Sequence, residues 1–90
     1  LETRNGNTID VKCVSRVGGG LNAAPRSVRK AADIYIPTES YHASVGIVGW
    51  VWGKEFLTPQ HLVTGKNGEF YAYPRNKLRP IDEFVRKAPL

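Results

Sequence analysis

An acid and a lysine lie two positions apart near the start of the chain, in the tripeptide Asp10-Val11-Lys12. On a β-strand, residues two apart point to the same face, so the two side chains would stand side by side. A carboxylate binds hard divalent cations, and an ammonium group beside it orients a water molecule or stabilises a charged phosphate. The tripeptide is therefore either half of a metal-dependent phosphodiesterase site or one solvated face of a strand.

The residues around the tripeptide predict the strand that would hold it. Asn5-Gly6 is a strong hairpin signal, because both central positions of that turn need φ > 0. We expect residues 1–4 and 7–15 to form this hairpin, with the acid and the lysine on one face and the apolar residues on the other. The residues expected to face the core are Ile9, Val11 and Cys13, and burial would leave the thiol unreactive.

Later patterns predict a sheet rich in β-branched and aromatic residues. Strands are expected at 31–36, where Pro37 would end the strand, and at 70–73. The nearly continuous apolar run at 44–52 predicts a central strand that is buried on both sides. In that run, Gly46 and Gly49 predict a bulge or a close approach of another backbone.

Few residues favour helix. Residues 53–57 predict a single turn, residues 21–28 a loop or short edge strand, and residues 80–86 a short C-terminal helix, because proline and two acids begin that segment and basic residues end it. The expected fold class is α+β, a small β-rich domain with a central mixed or antiparallel sheet, an N-terminal hairpin and a short C-terminal helix. The length of 90 residues fits one domain, residues 1–90.

The chain carries a formal net charge of +5, which favours a polyanionic partner, above all nucleic acid. Two groups of cations are candidates for phosphate contacts. The first is Arg26, Arg29 and Lys30, for which the alternative is a solvated basic loop, and the second is Arg75, Lys77 and Arg79. The cations of the second group alternate with other residues along a segment that is expected to be extended, so they would share one face, near two tyrosines. Tyrosines on strands are more often core residues. The tyrosines beside the second group are Tyr71 and Tyr73.

Several other chemistries are disfavoured. One cysteine excludes an intrachain disulfide, and with only His42 and His61 in addition a four-ligand zinc site is not expected. Both histidines are expected at the surface, and Asp33 as a residue that hydrogen-bonds backbone where a strand begins. No apolar run approaches the ~20 residues of a membrane helix, and no signal peptide is evident, which predicts a cytoplasmic protein.

The order of these motifs resembles the PD-(D/E)XK nuclease superfamily, most closely its small phage and mobile-element members. The resemblance covers about residues 1–57, and its features are Asn5-Gly6, Asp10-Val11-Lys12, the Gly-rich loop at 17–20, the strand at 31–36 and Gly49-Trp50. It implies a restriction-endonuclease-like core and a DNA endonuclease or resolvase-like activity that depends on Mg²⁺ or Mn²⁺. Because the chain begins inside the expected hairpin, it would be the C-terminal part of a longer nuclease domain.

The resemblance also implies roles for individual residues. Asp10 would bind the metal together with the Val11 carbonyl, and Lys12 would orient water and stabilise charge on the phosphate. The family's earlier acid has no clear counterpart, and Glu2 is the acid available. A three-residue loop places Glu2 opposite Asp10, whereas a two-residue loop turns Glu2 to the core side. A preceding segment or a second chain would otherwise complete the site.

Two alternatives to a nuclease remain open. One is a non-catalytic module that binds nucleic acid through a basic and aromatic face. The other is a structural subunit of a homo-oligomer or a larger complex, held through Trp50 and Trp52, which otherwise pack in the core.

Overall fold

A computed structural model describes residues 6–14, 18–41, 44–66 and 68–82 of the chain. Within these ranges the chain forms one short α-helix, α1 (Gly53–Phe56), and three 3₁₀ helices, Pro25–Lys30, Pro59–His61 and Arg75–Lys77. The strands are Ile9–Cys13 (β1), Leu21–Ala23 (β2), Ile34–Ser40 (β3), Val45–Ile47 (β4), Val51–Trp52 (β5), Leu62–Gly65 (β6) and Gly68–Tyr73 (β7). The predicted small, β-rich α+β domain is therefore confirmed.

The first sheet is built around β3. Strand β1 pairs with it in parallel, with Asp10 opposite Tyr35, while β4 and β5 pair antiparallel along its other side. Parallel neighbours need a crossover, and the chain between β1 and β3 supplies one that contains β2 and the 3₁₀ helix Pro25–Lys30. The predicted hairpin partner of β1, residues 1–4, lies outside the described residues.

The second sheet is antiparallel, in the order β2-β7-β6. The predicted strand at 70–73 is confirmed as part of β7, which ends before Pro74. Part of segment 21–28 is a short edge strand, and the rest is the 3₁₀ helix. The single helical turn predicted after residue 52 is also confirmed as α1.

A core between the two sheets joins them through aromatic contacts. Phe56 is fully buried and meets the rings of Tyr35 and Tyr73 edge-on, at centroid distances of 5.3 and 6.1 Å. The other face of the first sheet carries a second apolar cluster of Ile34, Ile36 and Trp50. Because both faces of β3 are covered in this way, residues Ile34, Tyr35 and Ile36 are all buried.

The predicted continuous strand at 44–52 is wrong in its first half. Val45 and Ile47 in β4 are 66% and 54% exposed, because β4 is an edge strand. The run breaks near Gly49, where a Cβ atom would lie 2.6 Å from the Arg79 carbonyl oxygen. The close backbone approach expected at Gly49 is thus confirmed, and Trp50 exchanges two backbone hydrogen bonds with Arg79 there.

Pro37 does not end its strand, contrary to the prediction. Its carbonyl accepts a hydrogen bond from Val48 N–H at 2.9 Å, so the nitrogen of the same residue also points away from β1. On that side the partner of β3 changes from β5 to β4, and no N–H donor from residue 37 is needed. A proline is therefore tolerated inside this strand.

The C-terminal helix predicted at 80–86 lies mostly outside the described residues. Ile81 and Asp82 are helical, and Ile81 packs against the apolar cluster that contains Trp50.

Candidate functional site

Asp10 and Lys12 lie side by side on β1, as the sequence predicts. The Lys12 Nζ atom is 3.2 Å from Asp10 Oδ2, and the side chains are 31% and 42% exposed, respectively. Parallel pairing places this face of β1 beside Tyr35, over whose ring Lys12 Nζ lies at 6.0 Å. The acid–lysine pair is thus held on a rigid strand and remains open to solvent.

The opposite face of β1 is less buried than predicted. Ile9 packs against the cluster around Trp50, but Val11 is 49% exposed and Cys13 is exposed. The expectation of a buried thiol is therefore wrong. Strict alternation of apolar residues predicted the orientation of these side chains, but it does not report whether another element covers them.

The three cations Arg26, Arg29 and Lys30 converge on the same place. Together with Asp10 and Tyr35 they line an open cleft of about 440 Å³, called the cationic cleft below. The sequence singles out both the acid and the cations, but not their proximity, which depends on the crossover between β1 and β3. This is the site that the fold assembles from two separately predicted groups.

The cations lie on a 3₁₀ helix rather than on the predicted loop. Pro25 occupies its first turn, where a missing N–H costs no internal hydrogen bond, and the helix ends at Lys30. With 3.0 residues per turn, side chains three apart are eclipsed. Arg26 and Arg29 therefore stand in one row along the wall of the cleft.

The backbone carbonyl of Val11 does not take part in the hydrogen bonds that pair β1 with β3. The Thr8 carbonyl accepts from Ile34 N–H at 3.0 Å, and Val14 N–H donates to the Thr38 carbonyl at 2.7 Å. Parallel ladder bonds are evenly spaced, so the even-numbered residues of β1 direct their backbone polar groups to β3. The Val11 carbonyl consequently points to the opposite edge of β1.

Asp10 is the described carboxylate that lines the cationic cleft, and a Mg²⁺ ion bound there would take its other ligands from water and substrate oxygens. Mg²⁺ is commonly held by one or two carboxylates together with phosphates. Asp10 supplies one carboxylate, and in the described part of the chain no three acidic, histidine or cysteine side chains gather as a complete ligand set. Glu2 lies outside the described residues.

The second predicted cationic group does not form one free face. Arg75 makes a bidentate ion pair with Glu39, at 2.8 and 2.9 Å. Arg79 pairs with Glu55 at 2.9 Å and lies over the Trp50 ring. The prediction of three aligned cations from Arg75 to Arg79 is therefore wrong, because residues 75–77 form a 3₁₀ turn instead of an extended segment.

The two tyrosines next to that group have the structural role. Tyr73 is buried in the core between the sheets, and Tyr71 packs against that core. The interpretation of these tyrosines as core residues is confirmed.

Glu39 is a residue that the sequence reasoning missed. It is only 3% exposed and also accepts hydrogen bonds from Gly18 N–H at 2.8 Å and the Tyr41 hydroxyl at 2.5 Å. Hydrogen bonds from Arg75 and then Tyr41 lower the pKa of Glu39 to about 2. The same contacts raise the pKa values of Tyr41 and Arg75. Because the predicted strand ended at Pro37, no sequence signal placed Glu39 in a buried strand.

Other polar residues have structural roles. Asp33 accepts hydrogen bonds from the Thr8 backbone and hydroxyl, which confirms the interpretation of Asp33 as a residue that hydrogen-bonds backbone where a strand begins. His61 is buried, with Nδ1 2.9 Å from Thr58 Oγ1 and its ring 4.8 Å from that of Tyr73, so its predicted surface position is wrong. His42 lies outside the described residues.

Comparison with known proteins identifies no relative of this chain. No family model, curated protein or solved structure matches this chain. Among the described residues, no helix is long and apolar enough to cross a membrane. The inference of function therefore depends on the cationic cleft and the residues that line it.

Proposed function

We propose that this chain is a divalent-metal-dependent nuclease domain with a restriction-endonuclease-like core that hydrolyses phosphodiester bonds in DNA. The observation that supports this proposal is the Asp10–Lys12 pair at 3.2 Å, with Asp10 lining a cleft beside three cations. The proposal retains the resemblance of the sequence to PD-(D/E)XK nucleases.

Each residue of the site has a distinct task in this proposal. The Asp10 carboxylate and the Val11 carbonyl bind Mg²⁺ or Mn²⁺, with Glu2, a preceding segment or a second chain as the source of another acid. When bound, the ion polarises the phosphate and lowers the pKa of a coordinated water. Lys12 donates hydrogen bonds to the attacking water or to a phosphate oxygen that gains charge in the transition state.

The cations of the 3₁₀ helix bind the DNA backbone. Arg26 and Arg29 contact phosphates as planar donors, and Lys30 contributes a point charge. These contacts carry no base information, so they set where the scissile phosphate lies relative to Asp10.

The second candidate function is a non-catalytic nucleic-acid-binding module. It is favoured by the finding that the described residues supply a single carboxylate at the cleft instead of a complete ligand set. In that case the cationic cleft binds the backbone, and Asp10 only orients Lys12.

The test combines calorimetric titration of Mg²⁺ or Mn²⁺ with nicking of supercoiled plasmid DNA. We expect Asp10→Asn to abolish both metal binding and nicking. Lys12→Ala should bind metal but nick about 100-fold more slowly or worse, because it removes one transition-state donor. Asp82→Asn, which changes an exposed carboxylate outside the cleft, is the matched control.

Two results would contradict the nuclease proposal. Metal binding that is unchanged in Asp10→Asn would exclude Asp10 as a ligand. DNA binding without metal uptake or nicking, in the original chain, would favour the non-catalytic module.

A further inference from the structure

A second cleft, of about 370 Å³, is lined in part by Val28 of the basic 3₁₀ helix and by Ala31, which follows the helix. Its lining is mostly apolar, and the polar residues that line it are Asn7, Asp33 and Lys54. The residues that matter here are Val28, Ala31, Trp52 and Leu57 on the walls, with Asp33 and Lys54 as polar groups. We call this cleft the Trp52 pocket; its size is near the lower end of small-molecule sites, about 300 Å³ and upward.

Residues of the 3₁₀ helix Pro25–Lys30 line both clefts. Its three-residue repeat places Arg26 and Arg29 in the row that lines the cationic cleft. Val28 and the following Ala31 stand in the next row and line the Trp52 pocket. A DNA strand whose phosphates contact the row of Arg26 and Arg29 would therefore have the apolar residues of the next row within reach on the same short helix.

Trp52 offers an aromatic surface in this pocket. It is half-buried, and its ring packs edge-on against Trp50 at a centroid distance of 5.2 Å, which holds it in place. Lys54 Nζ lies over the Trp52 ring at 5.8 Å from its centroid and brings a cation to the same cleft, so a stacked base would displace this side chain or use the other face of the ring. A flat aromatic ligand attached to an anionic group matches this combination.

Asp33 provides a hydrogen-bond acceptor at the edge of the pocket. Its Oδ2 atom accepts from the Thr8 backbone N–H at 2.8 Å and from the Thr8 hydroxyl at 3.3 Å. In the described part of the chain, Oδ1 accepts no further hydrogen bond from the protein. A ligand with an N–H donor would satisfy Oδ1, whereas a ligand carbonyl directed at this carboxylate would be repelled.

We propose that the Trp52 pocket binds one unpaired nucleobase with an exocyclic amino group, from a DNA strand whose backbone lies in the cationic cleft. The inference rests on the proposed function, because the cationic cleft must hold that strand. Cytosine, adenine and guanine each carry an exocyclic amino donor, and thymine carries none and presents a carbonyl where cytosine has its amino group. A base displaced from its stack would lie against Trp52, and the preferred DNA would contain an unpaired nucleotide.

The experiment measures the affinity of the protein for duplexes with one central bulged nucleotide, by fluorescence anisotropy in EDTA. The bulge is cytidine, adenosine, thymidine or an abasic residue. We expect the cytidine and adenosine duplexes to bind at least about fivefold more tightly than the abasic duplex, since one stacked base contributes this much or more. The thymidine duplex should bind more weakly than the cytidine duplex but more tightly than the abasic one, because thymine stacks on Trp52 and lacks only the amino donor.

Two variants test the assignment of residues. Asp33→Asn keeps an oxygen for Thr8 but presents an amide N–H₂ to the ligand, so the preference should move from cytidine to thymidine. Trp52→Leu should remove the advantage of every base over the abasic duplex. Because each result is a ratio within one protein sample, partial unfolding does not mimic it, and Asp82→Asn should retain the original order.

Equal affinity for all four duplexes would overturn the pocket, as would an unchanged order in Asp33→Asn. The measurement contains no divalent metal, so its outcome is independent of the metal site. Base preference in a protein that neither binds metal nor nicks DNA would support the pocket and overturn the nuclease. Failure to bind any of the duplexes would overturn the pocket together with the cationic cleft.

Discussion

Glu39 receives four hydrogen bonds, two on each carboxylate oxygen, from the segments around Gly18, Tyr41 and Arg75. All four donors favour the charged carboxylate, which is why its pKa falls from 4.5 to about 2. A lowered pKa in the folded state means that stability is gained at pH values above 4.5. This contribution is lost as the pH falls from 4.5 toward 2, when the carboxylate is protonated.

We therefore expect Glu39→Gln to lower the thermal midpoint at pH 7 and to flatten the acid side of the stability profile. The original chain should lose stability steeply between pH 4.5 and 2, and the variant less so, because its amide does not titrate. Thermal or urea unfolding followed by circular dichroism at a series of pH values measures both effects.

The comparison variant is Glu55→Gln, which breaks the half-exposed pair with Arg79. Solvent screens such a pair, so the expected cost at pH 7 is below about 1 kcal/mol. A larger loss of stability for Glu55→Gln than for Glu39→Gln would contradict the stabilising role assigned to the buried Glu39 carboxylate.

Among the connections between elements, the start of α1 is tightly constrained. Gly53 is buried, and a Cβ atom there would lie 2.0 Å from the Ala32 carbonyl oxygen. Its N–H donates to the Asp33 carbonyl at 2.8 Å, which fixes α1 to the segment entering β3. The same contact positions Asp33 and Trp52, which flank the Trp52 pocket.

Gly53→Ala is expected to destabilise the protein by about 1–3 kcal/mol, because a backbone atom and not a movable side chain blocks the new methyl group. The change in urea midpoint measures this cost. Gly46→Ala is the control, since the nearest atom to its Cβ is the edge of the half-exposed Tyr41 ring at 2.9 Å. Equal costs for the two variants would contradict the close packing of α1 on β3.

Local patterns predicted elements well where turn residues and side-chain type agree. The strand ending before Pro74, the turn at 53–56 and the close approach at Gly49 follow from such signals. The break of 44–52 and the passage of β3 through Pro37 depend on which strands become neighbours. A local pattern of residues does not show which strands will become neighbours, so both features were predicted wrongly.

The candidate site was predictable in part for the same reason. Alternation placed Asp10 beside Lys12, and charge singled out the cations at 26, 29 and 30. Their convergence requires the parallel pairing of β1 with β3, which a hairpin signal does not reveal. The role of Arg75 was missed because its partner, Glu39, lies 36 positions earlier.

The molecule carries a net charge of +5, but its basic side chains are not equally free to contact a polyanion. Arg75 and Arg79 are engaged with carboxylates, whereas Arg26, Arg29 and Lys30 line the cationic cleft. The first group therefore stabilises the fold, and the second is placed to bind phosphates.

We expect the double variant Arg26→Gln/Arg29→Gln to reduce the salt dependence of duplex binding. Each lost phosphate contact lowers the slope of log K against log salt concentration by about 0.9, so the slope should fall by about 2. Binding measured by anisotropy at several salt concentrations gives this slope.

The matched double variant is Lys66→Gln/Lys77→Gln, which removes the same charge from exposed residues outside both clefts. Its slope should remain that of the original chain. An equal reduction in both double variants would show that net charge alone, and not the cleft, determines binding.

The exposed thiol of Cys13 makes the molecule convenient to label. It is the only cysteine in the sequence, so a maleimide dye or nitroxide would attach at one position per chain without mutagenesis. Its side chain points to the face of β1 opposite Asp10 and Lys12, which leaves the cationic cleft unobstructed. A fluorophore there and a second on the DNA would report the distance between the strand and its ligand in solution.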